Sequence, residues 1–195
     1  MERSEPHAGP TAAGARRPLI VVLLGLPGAG KSSVAAAIVR ELGLRRVSRE
    51  ALREAMFPRC GYSFVEKRAA ARTLLLALEI NCVLGESSVV DGMTFSRRQD
   101  RERVVELATL HGFDVLPLLI DCPPALARAR YVRDELARSA DPNRGDGFIE
   151  SIVTRFDELP LSTVRVDGSL PEDAMCALAV AEVGARLGRS GPAAA

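Results

Sequence analysis

Tryptophan is absent, and two tyrosines and six phenylalanines are the only aromatic residues among 195, so rings can supply little of any core. Leu, Val, Ala and Ile have to do so instead. Hydrophobic residues at 47% and charged residues at 26% are ordinary globular proportions, enough for one self-sufficient core. Lysine is nearly missing as well: of 26 basic residues only Lys31 and Lys67 are lysines, and the other 24 are arginines. The formal charge is only +1, which excludes a molecule-wide positive field for capturing nucleic acid or a charged membrane and leaves room only for local patches. Cys60, Cys82, Cys122 and Cys176 are scattered, with no C-x-x-C pair and no histidine cluster, which argues against a zinc site and a disulfide framework. A reduced, cytoplasmic location is expected, with Cys82 and Cys122 as plain core residues. No apolar run reaches the roughly 18 residues that span a bilayer, and the amino terminus has no charged region followed by an apolar stretch, so neither a membrane partner nor secretion is expected.

What is present is an alternation of short apolar runs with longer amphipathic stretches, the pattern of an α/β chain. Strands are expected at Leu19 to Leu24, Leu44 to Ser48, Ser88 to Asp91, Asp114 to Asp121 and Thr163 to Asp167. Runs such as PLIVVLLG and VLPLLID are apolar throughout rather than alternating, which implies strands covered on both faces and a mainly parallel five-stranded sheet between helical layers. Helices are expected at about 31–42, 50–57, 64–85, 97–111, 124–138, 146–158 and 171–187. The fourth is read as opening on a capping box, Ser96 with Gln99, and its polar start carries Arg97, Arg98, Arg101 and Arg103. Residues 1–17 and 189–195 lack periodicity and are expected to be disordered tails around one domain, 18–188. Ser139 to Gly147, SADPNRGDG, is rich in turn formers and is expected to be a mobile loop.

Residues 25–32 read GLPGAGKS and satisfy G-x-x-x-x-G-K-[ST] with Gly25, Gly30, Lys31 and Ser32. Glycines let backbone amides turn inward around phosphates, and the helix that follows presents its positive dipole end. The motif falls directly between an apolar strand and a helix, the context the chemistry needs. Gly25, Leu26, Pro27, Gly28, Ala29, Gly30, Lys31, Ser32 and Ser33 are therefore the candidate phosphate cradle, with Lys31 reaching the β and γ oxygens and Ser32 offering a hydroxyl to Mg²⁺. No N-K-x-D guanine-reading pattern is present, which favours ATP as the nucleotide.

Two other strand ends carry acids to the edge where parallel sheets bind ligands. The second runs into VSREALREAMFP, placing Glu50 and Arg53 at the start of a helix. Glu50 can accept a hydroxyl proton and Arg53 can hold substrate oxygens; alternatively Glu50 complements the helix dipole and Arg53 faces water. The third ends in VVDGMTF, where Asp91 is suited to orient a Mg²⁺ water, or else to cap a turn. Near the carboxyl end, VDGSLPEDA is either a loop bordering adenine or a simple turn from which Ser169 or Pro171 starts a helix.

Taken in order, GLPGAGKS, VSREALREAMFP, VVDGMTFSRRQDRERVVELATLHG and LIDCPPALARARYVRDE resemble the P-loop kinase group that contains polynucleotide 5′-hydroxyl kinases and small-molecule relatives, including zeta-toxin-like and antibiotic-phosphorylating enzymes. The resemblance spans about Leu19 to Leu187. It implies a three-layer P-loop NTPase fold with a helical lid at about 125–158, and ATP with Mg²⁺ as cofactors. It also implies transfer of the γ-phosphate to an acceptor hydroxyl. Lys31, Glu50, Arg53, Arg130 and Arg144 are then the catalytic candidates, Arg128 a nucleotide contact, and Ser32 with Asp91 the metal residues. Polynucleotide kinases carry Asp where this chain has Glu50. Acceptors of both sizes are compatible: the arginines at 97–103 could form a nucleic-acid patch, but few aromatics (Phe57, Tyr62, Phe64, Phe95) are placed to stack bases, which slightly favours a small molecule over a nucleic-acid 5′ end. A nucleotide-dependent regulatory or ATPase module with no phosphorylated acceptor is the alternative function.

Overall fold

In the computed structural model, residues 17–136 and 147–188 are described. Apart from Arg17, the two expected tails lie outside these residues, as do Arg144 and the 139–146 part of the expected loop. Five strands, β1 (Leu19–Leu24), β2 (Arg45–Ser48), β3 (Ser88–Asp91), β4 (Asp114–Asp121) and β5 (Val164–Asp167), form one parallel sheet in the order β2-β3-β1-β4-β5. The helices are α1 (Lys31–Leu42), α2 (Arg49–Met56), α3 (Phe64–Val83), α4 (Arg98–Leu110), α5 (Pro124–Leu136), α6 (Phe148–Thr154) and α7 (Glu172–Leu187). The expected parallel, three-layer α/β architecture is the observed one.

β1 shows why a strand can be apolar at every position. All six of its residues are buried. Leu19, Val21 and Leu23 join Val34, Ala35 and Ile38 of α1 and Val183 of α7 on one face. Ile20, Val22 and Leu24 meet Leu74 and Leu78 of α3 and Val104 and Ala108 of α4 on the other. Each large side chain buried in this way contributes on the order of 2 kcal/mol of transfer free energy. The central strand is therefore fixed from both sides, and the loop that leaves its carboxyl end starts from a rigid point. Among the described residues no helix is long and apolar enough to cross a membrane.

Two expectations about helix ends are corrected. Ser96 does not cap α4: the N-cap is Arg97, with no side-chain cap, while Ser96 is buried and its Oγ accepts from Thr94 Oγ1 at 3.2 Å. Instead the Arg98 N–H donates to Asp157 Oδ2 at 2.6 Å, across 59 residues of sequence. The same contact shortens α6, expected at 146–158 and observed to end at Thr154, because the chain turns there so that Asp157 can reach α4 and its N–H can donate to Ser96 O at 2.9 Å. A capping box does exist at Ser63 and Glu66, at the start of α3. Arg101 is also corrected as a surface charge. It is buried, and its guanidinium donates to Phe95 O (2.8 Å), Ser96 O (3.0 Å) and Glu158 O (2.7 Å), so it ties loops together and cannot belong to a nucleic-acid patch.

Candidate active site

The loop from Gly25 to Gly30 leaves β1 and enters α1. Leu26 and Ala29 are buried in the core, so they can offer a ligand only their backbone. Gly28 has φ +79°, and a Cβ on it would lie 2.1 Å from Ala127 O and 2.9 Å from Tyr131 N, both on α5. A side chain is thus excluded where the loop touches α5. Lys31 Nζ donates to Gly25 O at 2.9 Å and Leu26 O at 2.7 Å, which holds the ammonium over the loop. α1 has no side-chain cap and no acid in its first turn, whereas α2, α3, α4, α6 and α7 each carry one there. Its first amides and dipole are left for an anion. Pro27 and Ser33 are half-buried and Ser32 is exposed, within that same stretch.

At the next strand end, Ser48 caps α2 by accepting from Ala51 N at 3.4 Å. Glu50 in the first turn is one-third exposed and pairs with Arg53 and, at 3.2 Å, with Arg49. Arg53 does not face water. It is 4% exposed, its guanidinium carbon lies 4.3 Å from the centre of the Tyr62 ring, and it donates to the Tyr62 hydroxyl at 3.4 Å. Tyr62 itself has φ +55°, a conformation rarely adopted by a bulky residue, and the Ser63–Glu66 capping box holds the turn that carries it. The Gly61 N–H, followed by that of Ser63, pulls the Glu66 carboxyl below its ordinary value.

Asp91, at the end of β3, is 2% exposed. Its Oδ2 accepts from Arg46 of β2, and its Oδ1 is buried with no hydrogen-bond partner. A buried carboxylate oxygen left in this way costs about 1–3 kcal/mol. Among the described residues no three His, Cys, Asp or Glu side chains converge. Asp91 Oδ1 and the Ser32 hydroxyl are the protein groups that could contact a cation at this edge. Gly92 brings this strand end to α2: a Cβ there would lie 2.9 Å from Glu50 N and 3.0 Å from Arg49 N.

On the other side of β1, Arg130 of α5 donates to Gly168 O at 2.6 Å and approaches Cys122 Sγ at 3.9 Å, which ties α5 to the β5–α7 turn. In that turn Asp167 Oδ1 accepts from Ser169 Oγ (2.6 Å) and Ser169 N (2.8 Å), contacts that lower the Asp167 pKa. Pro171 is the N-cap of α7. Arg128 pairs with Glu150 of α6 at 2.9 Å, and Arg144 lies outside the described residues. Burial raises the thiols of Cys82, Cys122 and Cys176, and Cys82 and Cys122 are core residues as expected. Lys31, Ser32, Glu50 and Asp91 thus stand on strand ends or helix starts along the carboxyl edge of the sheet, and Arg53 follows in the last turn of α2. Arg46 and the Arg53–Tyr62 pairing were not read from sequence; no local motif marks them.

A family model described as an AAA domain matches residues 20–159, and the chain belongs to that family. No curated protein matches the chain by sequence. Among solved structures, a putative kinase from Chloroflexus aurantiacus is similar with a TM-score of 0.67 and 21% identity, covering 84% of this chain and 97% of that one. The Mycobacterium tuberculosis APS kinase CysC, in complex with AMPPNP and APS, is similar with a TM-score of 0.64 and 21% identity, covering 89% and 99%. A chain of the Pnkp1/Rnl/Hen1 RNA repair complex gives a TM-score of 0.64 and 20% identity over 76% of this chain and 47% of that one. At these identities the likeness is one of fold alone, the parallel α/β P-loop NTPase-like fold.

Proposed function

We propose that the chain is a kinase that transfers the γ-phosphate of ATP to an acceptor hydroxyl. The observation that carries this reading is the packing of Asp91–Gly92 against the amides of Arg49 and Glu50, which joins the phosphate side of the edge to an acid–arginine pair suited to an acceptor. Lys31 and the first amides of α1 bind the β- and γ-phosphates. Ser32 and Asp91 would hold Mg²⁺, which would supply charge to offset that on the phosphate oxygens. Glu50 takes the proton of the acceptor hydroxyl as its oxygen bonds to the γ-phosphorus. The bond to the bridging oxygen breaks and ADP leaves. Arg53 holds acceptor oxygens. In a lid at about 125–158, Arg130 and Arg144 meet the transferring group and Arg128 contacts the nucleotide, while the Gly168–Leu170 turn borders adenine.

The similarity to an APS kinase and to a chain of an RNA repair complex supports both a small-molecule and a nucleic-acid acceptor. The burial of Arg101 weakens the nucleic-acid side by removing one arginine from the patch, so a small molecule is favoured. Four free thiols fit a reducing compartment such as the cytoplasm.

A second reading, a nucleotide-dependent module with no phosphorylated acceptor, draws on Glu50 being held by Arg49 and Arg53 rather than waiting as a base. One assay separates the two: labelled ATP with nucleosides, sugars, antibiotics and 5′-hydroxyl oligonucleotides, run with wild type and Lys31→Ala. The kinase reading expects a phosphorylated acceptor that disappears in the variant. Nucleotide binding without any acceptor product across the panel supports the module, and transfer that survives Lys31→Ala overturns the proposed site.

A further inference from the structure

Asp91 is a buried carboxylate whose two oxygens have different fates: Oδ2 is taken by Arg46, and Oδ1 is left without a partner. Arg46 lies beside Val89 in the β2–β3 register, and Val89 packs into the cluster on the α1 face, so Arg46 leaves the sheet on the side where α1 starts. Its side chain is only about one-third exposed, 36%, although it sits on an edge strand where water was available to it. Two residues further on, β2 ends at Ser48, whose neighbour in register is Asp91 itself and whose hydroxyl caps the helix bearing Glu50.

We propose that Arg46 is a positioning residue for the metal carboxylate. By occupying Oδ2 it fixes the rotation of the Asp91 carboxylate and leaves Oδ1 as the oxygen that would serve a cation held with Ser32. It also offsets part of the cost of burying the charge. Because Arg46 and Glu50 stand on one continuous strand-to-helix segment, the metal and the acceptor acid share a single frame, braced by Gly92 against the Glu50 amide. The inference rests on the proposed role of Asp91 at Mg²⁺, and its test separates the two.

The test uses the full chain with AMPPNP and Mn²⁺ as an EPR-visible probe, comparing wild type, Arg46→Met, Arg46→Lys and Asp91→Asn. Nucleotide affinity in EDTA and thermal melting are followed in parallel. Arg46→Met is expected to raise the Mn²⁺ Kd of the nucleotide complex about 10- to 100-fold, the usual effect of removing the partner of a ligating group, with affinity in EDTA within about twofold of wild type. Arg46→Lys keeps the charge but loses the planar fork, and is expected to fall in between. A wild-type or tighter Mn²⁺ Kd in Arg46→Met, with Asp91→Asn weakened, overturns the role of Arg46 and leaves Asp91 at the metal. An unchanged Kd in Asp91→Asn overturns both. If Arg46→Met melts below the assay temperature, Arg46→Lys decides: a Kd raised several-fold supports the proposal, and a wild-type Kd overturns it.

Discussion

Beside β1 the carboxyl edge of the sheet is made of backbone, and beside β2 it is made of side chains. In the loop after β1, Gly28 lies against the main chain of Ala127 and Tyr131, and the amides entering α1 carry no side-chain cap. Two strands away, Arg49, Glu50, Arg53 and Tyr62 hold one another through long side chains, Arg46 pairs with Asp91 of β3, and the neighbouring Phe64 and Val65 are left exposed. A cradle of amides reads only what all nucleotides share, their phosphates, and it tolerates no added methyl group. A corner of side chains can be rebuilt for a different acceptor without disturbing the sheet beneath it. Substitutions in the first region should therefore abolish nucleotide binding, and those in the second should leave it intact while altering transfer.

The largest effect is expected at Gly28. In Gly28→Ala the new methyl group meets backbone at 2.1 Å, which cannot give way without moving α5 or the loop. Nucleotide affinity, measured by calorimetry, should fall by at least about 100-fold, equivalent to about 2.7 kcal/mol. Gly43→Ala is the control. It too replaces a glycine of positive φ, +72°, but its Cβ would meet nothing within 4 Å, so it should cost only about 1–2 kcal/mol of stability and leave affinity unchanged. Normal binding by Gly28→Ala would break the comparison at its first point.

Next is Glu50→Gln, which keeps the shape of the side chain and removes the proposed base. Transfer to the acceptor should fall about 10²- to 10⁴-fold with nucleotide affinity unchanged, measured by single-turnover kinetics beside equilibrium binding. A parallel loss of affinity would mean that the acid belongs to the nucleotide side. Tyr62→Ala should act more mildly. Loss of a cation–π contact worth about 0.5–2 kcal/mol frees Arg53 and should raise the acceptor KM about 2- to 30-fold, while Tyr62→Phe, which retains the ring, should change it less. An acceptor KM that does not move would show that Tyr62 supports folding alone.

The same division separates what sequence reading reached from what it missed. The inner strands β1, β3 and β4 were legible because their apolar runs stop abruptly at a glycine or a charge, as LIVVLL does before Gly25. The phosphate loop was legible because its function depends on local backbone spacing. The capping of α4 was not, because Ser96 and its true substitute, Asp157, compete across 61 residues of chain, and no local pattern records which one arrives. Arg53 was read with two alternatives open, since a charge one turn into a helix looks the same whether it faces water or an aromatic ring. The partnership of Arg46 with Asp91 likewise joins residues 45 apart in sequence. In a chain with 24 arginines, type alone cannot distinguish one that fixes a carboxylate from one that is merely solvated.

The smallest effect is expected where the side-chain corner is anchored, at Glu66. Hydrogen bonds from Gly61 N–H (3.0 Å) and Ser63 N–H (2.7 Å) hold its carboxyl below the ordinary value of 4.5, so the folded protein binds fewer protons there than the unfolded chain as the pH nears that value. The resulting stability is fully present above pH 4.5 and is lost as the pH falls through the lowered folded value. Glu66→Gln removes the charged acceptor at every pH. Its melting temperature should therefore lie below that of wild type at neutral pH, and the gap should close on acidification below pH 4.5. A gap that does not change with pH would mean that shape, not charge, holds the turn. Because that turn carries Tyr62 and not the phosphate loop, the variant at neutral pH should raise the acceptor KM slightly with no change in nucleotide affinity. A change in affinity instead would show that the two regions are mechanically one.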